Sequence, residues 1–233
     1  FGQWCKKIRD VDVEVNSLDN LFQSGALVAT AQPDFLSVDT QGSEFDIFKG
    51  AAKTIENGVL GIVSEIEFHP LYKDQPLFSH VFDELHSLKF HFAGFTHISD
   101  EISSFRAPLG QRGKGFLAFG DALFLRRLES LSDFTQDKSE LFVAAYKLAF
   151  ISITFGYVEY GLEALNYAEE MLSSIEEPPE VKEILYFQFL KDLKAASQKM
   201  DDIKLKVEPT PEKTQAQDAR ENSMAISKLV QLK

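Results

Sequence analysis

At 233 residues the chain has room for one sizeable core, with or without a small appendage. Its net charge of −12 argues against nucleic acid as a partner, because neutralising phosphates takes a basic face, and no run of about 18 apolar residues marks a membrane span. Cys5 is the single cysteine, which excludes an intrachain disulfide and a cysteine-based zinc site and makes a reducing, cytoplasmic setting the expectation.

Val11, Val13 and Val15 alternate with charged residues, which predicts a half-buried strand. Ser17-Leu18-Asp19 then leads into a short turn or helix around Leu21-Phe22. Phe35-Leu36-Ser37-Val38 is short, apolar and β-prone, as a buried strand is. It runs straight into Asp39-Thr40-Gln41-Gly42-Ser43-Glu44. Phe45, Phe48, Ala52 and Ile55 follow at helical spacing, up to a stop signal at Asn57-Gly58. Val59 to Phe68 predicts a second buried strand, broken at His69-Pro70 because proline donates nothing to a ladder. After a loop through Lys73-Asp74-Gln75-Pro76, a core-facing helical stripe runs through Phe78, Val81, Phe82, Leu85 and Leu88. His91 to Ile98 predicts a third strand, 100–115 a long polar loop, and Phe116 to Arg126 a fourth strand, with the last two strands paired antiparallel. This alternation is that of an α/β fold.

The pattern changes near Leu128. Leu141, Ala145, Leu148 and Ile151, then Val158, Leu162, Leu165, Ala168 and Leu172, then Val181, Ile184, Leu185, Leu190 and Leu193, give three helical stripes, the last two separated by Pro178-Pro179. The expected organisation is an α/β part over 1–127, a helical appendage over 128–200 and a disordered, charged tail over 201–233.

Function is expected at the turn from Asp39 to Glu44, because open α/β sheets bind ligands at the carboxyl ends of their strands. Asp39 there has two readings: a group that accepts a hydrogen bond from a ligand or serves as a base, or a carboxylate that complements the dipole of the next helix. Glu44 is open to the same two readings, and Gly42 permits a tight turn or a close ligand approach. Glu65 and Glu67 alternate with Ile66 and so share one side of the second strand, where they can line a pocket. His69 is a base or a loop residue. Arg106, Arg112 and Lys114 either meet an anionic substrate or are solvated charges, and the Gly110 to Gly115 cluster, between two late strands, reads as a mobile loop in preference to a phosphate or nucleotide cradle. A hydrolase metal held by Asp39, Glu44 and Glu65 is a weaker alternative, since no companion His/Asp set has ligand spacing. No metal is expected.

In order and spacing, Ser17-Leu18-Asp19, the stretch Phe35 to Glu44, Phe48-Lys49-Gly50-Ala51, Glu65-Ile66-Glu67, Gly94-Phe95 and Asp121-Ala122-Leu123-Phe124 resemble the carboxyl-terminal half of the FkbM-type methyltransferases, from Val13 to Arg127. The resemblance implies a Rossmann-like sheet and S-adenosylmethionine as cofactor, with Asp39, Gly42 and Glu44 on the cofactor side. Asp39, Glu65 and His69 are the catalytic candidates. The implied reaction is O-methylation of a sugar, glycolipid or metabolite hydroxyl. The family's glycine-rich cofactor loop would precede everything here, so the expectation is a fragment, inactive alone, of an active parent enzyme. The alternative is a non-catalytic interaction module that uses the helical segment to hold a protein partner.

Overall fold

The computed structural model describes residues 9, 11–27, 32–99, 116–172 and 175, with 192, 194–196, 198 and 199 as separate helical positions. The loop over 100–115 with its three basic residues, the third helical stripe and the tail lie outside the described residues. Two compact units divide the chain at Glu183/Ile184, and all the elements named below belong to the first.

Four strands form one mixed sheet: β1 (Phe35–Val38), β2 (Gly61–Glu67), β3 (Phe90–Ser99) and β4 (Phe119–Arg126), in the order β1-β2-β4-β3. β1 and β2 are parallel, while β4 lies between β2 and β3 and runs antiparallel to both. The expected antiparallel pairing of the last two strands is therefore present. The strand expected over Val11 to Val15 is not. These residues have no regular structure, and the three valines are 61%, 72% and 83% exposed. Alternation makes a strand only where a neighbour supplies the ladder, and among the described residues none pairs with it.

The first helical region is two short helices, α2 (Glu44–Gly50) and α3 (Ala52–Glu56), where the sequence predicts one. The break at Ala51 is held from α1 (Leu18–Gln23). The Asp19 carboxylate accepts from the backbone N–H groups of Lys53 (3.1 Å) and Thr54 (2.8 Å) and from the Thr54 hydroxyl (2.7 Å), capping the start of α3. Burial acts to raise the proton affinity of Asp19, but the hydrogen bonds from Thr54 and Lys53 outweigh it and hold the carboxyl below its ordinary range. Ser17 caps α1, and its Cβ lies 3.1 Å from where a side chain on Gly50 would begin. The Ser-Leu-Asp and Lys-Gly-Ala pieces of the resemblance thus pack against each other as structure.

One side of the sheet (Val38, Ile62, Ile66, Phe90, Ala122, Phe124) packs with Phe48, Ile55 and the buried residues of α4 (Phe78–Ser87), Val81 and Leu85. Leu123 and Leu125 alternate with these on β4 and are also buried, as a sheet covered on both sides requires. The second cover comes from α5 (Lys138–Thr154) and α6 (Val158–Leu172). Phe155, between them, stacks on Phe35 with ring centroids 5.7 Å apart. The Tyr157 hydroxyl fills the space a Cβ on Gly94 would need, at 2.6 Å. The Tyr160 hydroxyl donates to the Arg126 carbonyl (2.6 Å) and accepts from the Leu128 N–H (2.9 Å), closing the corner after β4.

Candidate functional site

β1 ends at Val38, in register with Ser64 of the parallel β2, which runs on to Glu67. Asp39 and Glu65 therefore follow at neighbouring positions on the same end of the sheet. Between them comes Gln41, whose backbone is left-handed (φ 58°), followed by Gly42 at φ 114°. A left-handed glutamine is uncommon, since only short polar residues and glycine enter that region readily. Its side chain accounts for the placement. Gln41 Nε2 donates to Asp39 Oδ1 at 3.1 Å and to Glu65 Oε2 at 2.6 Å, so one carboxamide spans two carboxylates.

Glu44, in the first turn of α2, is buried and turned back on the loop. Its Oε1 accepts from the Thr40 N–H (2.8 Å) and hydroxyl (2.9 Å), and its Oε2 from the Gly42 N–H (2.9 Å). This carboxylate is spent on shaping the turn. Gly42 is likewise hemmed in: a Cβ there would meet Gln75 Nε2 at 2.8 Å and the Tyr72 ring at 3.1 Å. Gln75, on the β2–α4 loop, accepts from the N–H groups of Leu71 (2.7 Å) and Tyr72 (3.0 Å) and packs its amide into the same space.

The carboxylates on β2 sit in an unbalanced field. Burial, then the charge of Asp39, then that of Glu67 push Glu65 up to about 7. Burial and then Glu44 push Glu67 up to about 7, opposed by its approach to the Gln75 amide. Asp39, by contrast, is exposed at the strand end. Arrangements of this kind suit an acid or base working near neutral pH. His69 lies beyond the end of β2, exposed, with its ring edge-on to Phe116 at 6.3 Å. Among the described residues it makes no hydrogen bond to the carboxylates, so the structure brings Asp39 and Glu65 together and leaves His69 apart.

Sequence reasoning missed Gln41 and Gln75. A glutamine before a glycine in a strand-to-helix turn was the available signal, but its reach to Glu65 depends on the register of two strands. Among the described residues no group of three His, Cys, Asp or Glu has the arrangement of a metal site. A cavity of about 490 Å³ lies at the other end of β1 and β2, lined in part by Asp34, Leu60, Phe134 and Lys147, and does not include the carboxylates.

The family model of the methyltransferase FkbM domain matches residues 6–92. Over those residues the chain is similar to that domain. The match runs from before α1 into β3 and includes Asp39, Gln41, Glu44, Glu65 and Glu67. The four-stranded mixed sheet with its helices is consistent with the Rossmann-like fold of such methyltransferases. No curated protein and no solved structure matches the chain. Among the described residues no helix is long and apolar enough to cross a membrane.

Proposed function

We propose that the FkbM domain takes part in S-adenosylmethionine-dependent O-methylation, and that Asp39 and Glu65 receive the acceptor hydroxyl of a sugar, glycolipid or small metabolite. The observation that carries this reading is the convergence of these two carboxylates on the carboxyl ends of adjacent parallel strands, the ligand-binding end of an open α/β sheet.

Bound S-adenosylmethionine supplies an electrophilic methyl carbon. Of the residues first assigned to it, Asp39 fits: it is exposed, and Gln41 engages one of its oxygens, leaving the other to accept from an ammonium or a hydroxyl. Glu44 and Gly42 serve by fixing the turn that aims Asp39. At the acceptor, Glu65 takes the hydrogen bond of the hydroxyl and then its proton as the new O–C bond forms. Its proton affinity near neutrality suits that transfer, and holding the hydroxyl in line with the methyl carbon is the larger contribution.

The test is methyl transfer by the full-length natural protein and its Asp39→Asn variant. The expected result is a fall in kcat/KM of about a hundredfold, the order that misplacing a reacting group costs. Transfer by Asp39→Asn at the wild-type rate would sink the reading.

A further inference from the structure

We propose that Gln41 is a positioning residue of this acceptor site: its carboxamide holds Asp39 and Glu65 together as one unit at the carboxyl end of β1. The inference rests on the reading of Asp39 and Glu65 just given. Its basis is geometric. An amide NH2 has two hydrogens, and Gln41 spends them on two different residues, Asp39 Oδ1 (3.1 Å) on its own loop and Glu65 Oε2 (2.6 Å) on the neighbouring strand, 24 positions away. Asp39 and Glu65 also lie within hydrogen-bonding reach of each other. Oδ2 of Asp39 and Oε1 of Glu65 are the oxygens that Gln41 does not engage.

The backbone bears out the importance of the contact. Gln41 holds a left-handed conformation that L-residues with long side chains rarely adopt and that glycine adopts without strain. The side chain is retained at the position where it reaches across to β2.

A neutral donor also suits the electrostatics. The charged groups that face Glu65 are Asp39 after β1, Glu67 on β2, Glu44 on α2 and Asp121, its register partner on β4, all acidic. Two carboxylates so placed repel, and each would turn away towards water unless a shared donor or a shared proton held them. Lysine would cancel one of the two charges and hold a charged proton donor where a base is needed. Glutamine bridges the pair without changing the charge.

The experiment uses Gln41→Met, which keeps an unbranched side chain and the same backbone cost while removing both donors. Carboxyl carbon resonances are followed by NMR as pH is raised, in the wild type and in the variants. Loss of the donors removes hydrogen bonds to the charged form, so the titration midpoint of the Asp39–Glu65 pair is expected to rise by about one pH unit in Gln41→Met. The acidic limb of the kcat/KM profile of the full-length protein is expected to move with it. Gln41→Glu, which offers at most one donor and adds a further carboxylate, is expected to lower activity across the pH profile. Overlapping titrations of the wild type and Gln41→Met would overturn the proposal, as would an unmoved activity profile in an otherwise active enzyme. If the titration shifts while Asp39→Asn methylates at the wild-type rate, Gln41 still holds the pair and it is the acceptor-site reading that falls.

Discussion

Glu67 shows most directly what the site costs the fold. It is buried beside Glu44, and both its burial and that charge favour the protonated form, raising it to about 7 from an ordinary value near 4.5. The folded chain thus binds a proton that the unfolded chain releases between those two values. Stability from this group is full below pH 4.5 and is lost as pH rises through 7. Glu67→Gln is therefore expected to unfold at higher urea than the wild type at pH 8, with the gap closing towards pH 5. A gap that widens on acidification would mean that Glu67 is stabilised as the anion. The sequence made Asp39 and Glu65 legible, because a carboxylate at the end of an apolar strand stands out against its neighbours. It did not reveal that Glu44 faces inward or that Gln41 crosses to β2. Those facts depend on a left-handed residue and a strand register, neither of which leaves a periodic trace.

At the scale of elements, the ends of the helices are held by side chains from distant strands. Arg126, the last residue of β4, is buried, and its guanidinium donates to the carbonyls of Ile55 (2.8 Å) and Glu56 (3.0 Å) at the end of α3 and to the Leu88 carbonyl at the end of α4. It lies over the rings of Phe90 and Phe134 at 4.7 and 4.4 Å, which favours a planar cation over an ammonium. Burial lowers it to about 10, so it remains charged at neutral pH. Arg126→Met fills much of the volume and strands three helix-end carbonyls. The expected loss is about 3 kcal/mol or more, read from urea unfolding. Arg126→Lys is expected to recover little of it, since one ammonium cannot reach both helix ends and stack on both rings. A variant within about 0.5 kcal/mol of the wild type would show that water satisfies those carbonyls instead. Helix periodicity located α4, α5 and α6 well, because their stripes are long. The same reasoning failed for Val11 to Val15, where the alternation is real and the partner strand is absent among the described residues.

The described elements of the first unit form a sheet between two helical layers, and the sequence expectation divides them into an α/β part over 1–127 and a helical appendage. Leu123 and Leu125 show how the two parts meet. They lie between the buried residues of the opposite side and are themselves 0% and 2% exposed, yet α2, α3 and α4 cover only that opposite side. Phe155 on Phe35, Tyr157 against Gly94 and Tyr160 on Arg126 tie the later helices to β1, β3 and β4 in turn. A polypeptide ending at Arg127 would expose this second side of the sheet and leave a contiguous apolar patch in water. Each fully buried leucine returned to solvent costs roughly 1.5–3 kcal/mol, so losing several such contacts equals the whole stability of an ordinary domain. The truncated chain is therefore expected to show no cooperative urea transition and to bind a hydrophobic dye, whereas a chain ending at residue 175 keeps the transition. If the chain ending at Arg127 unfolds cooperatively at the midpoint of the longer one, α5 and α6 are a separate appendage and the sheet is stable on one layer of helices.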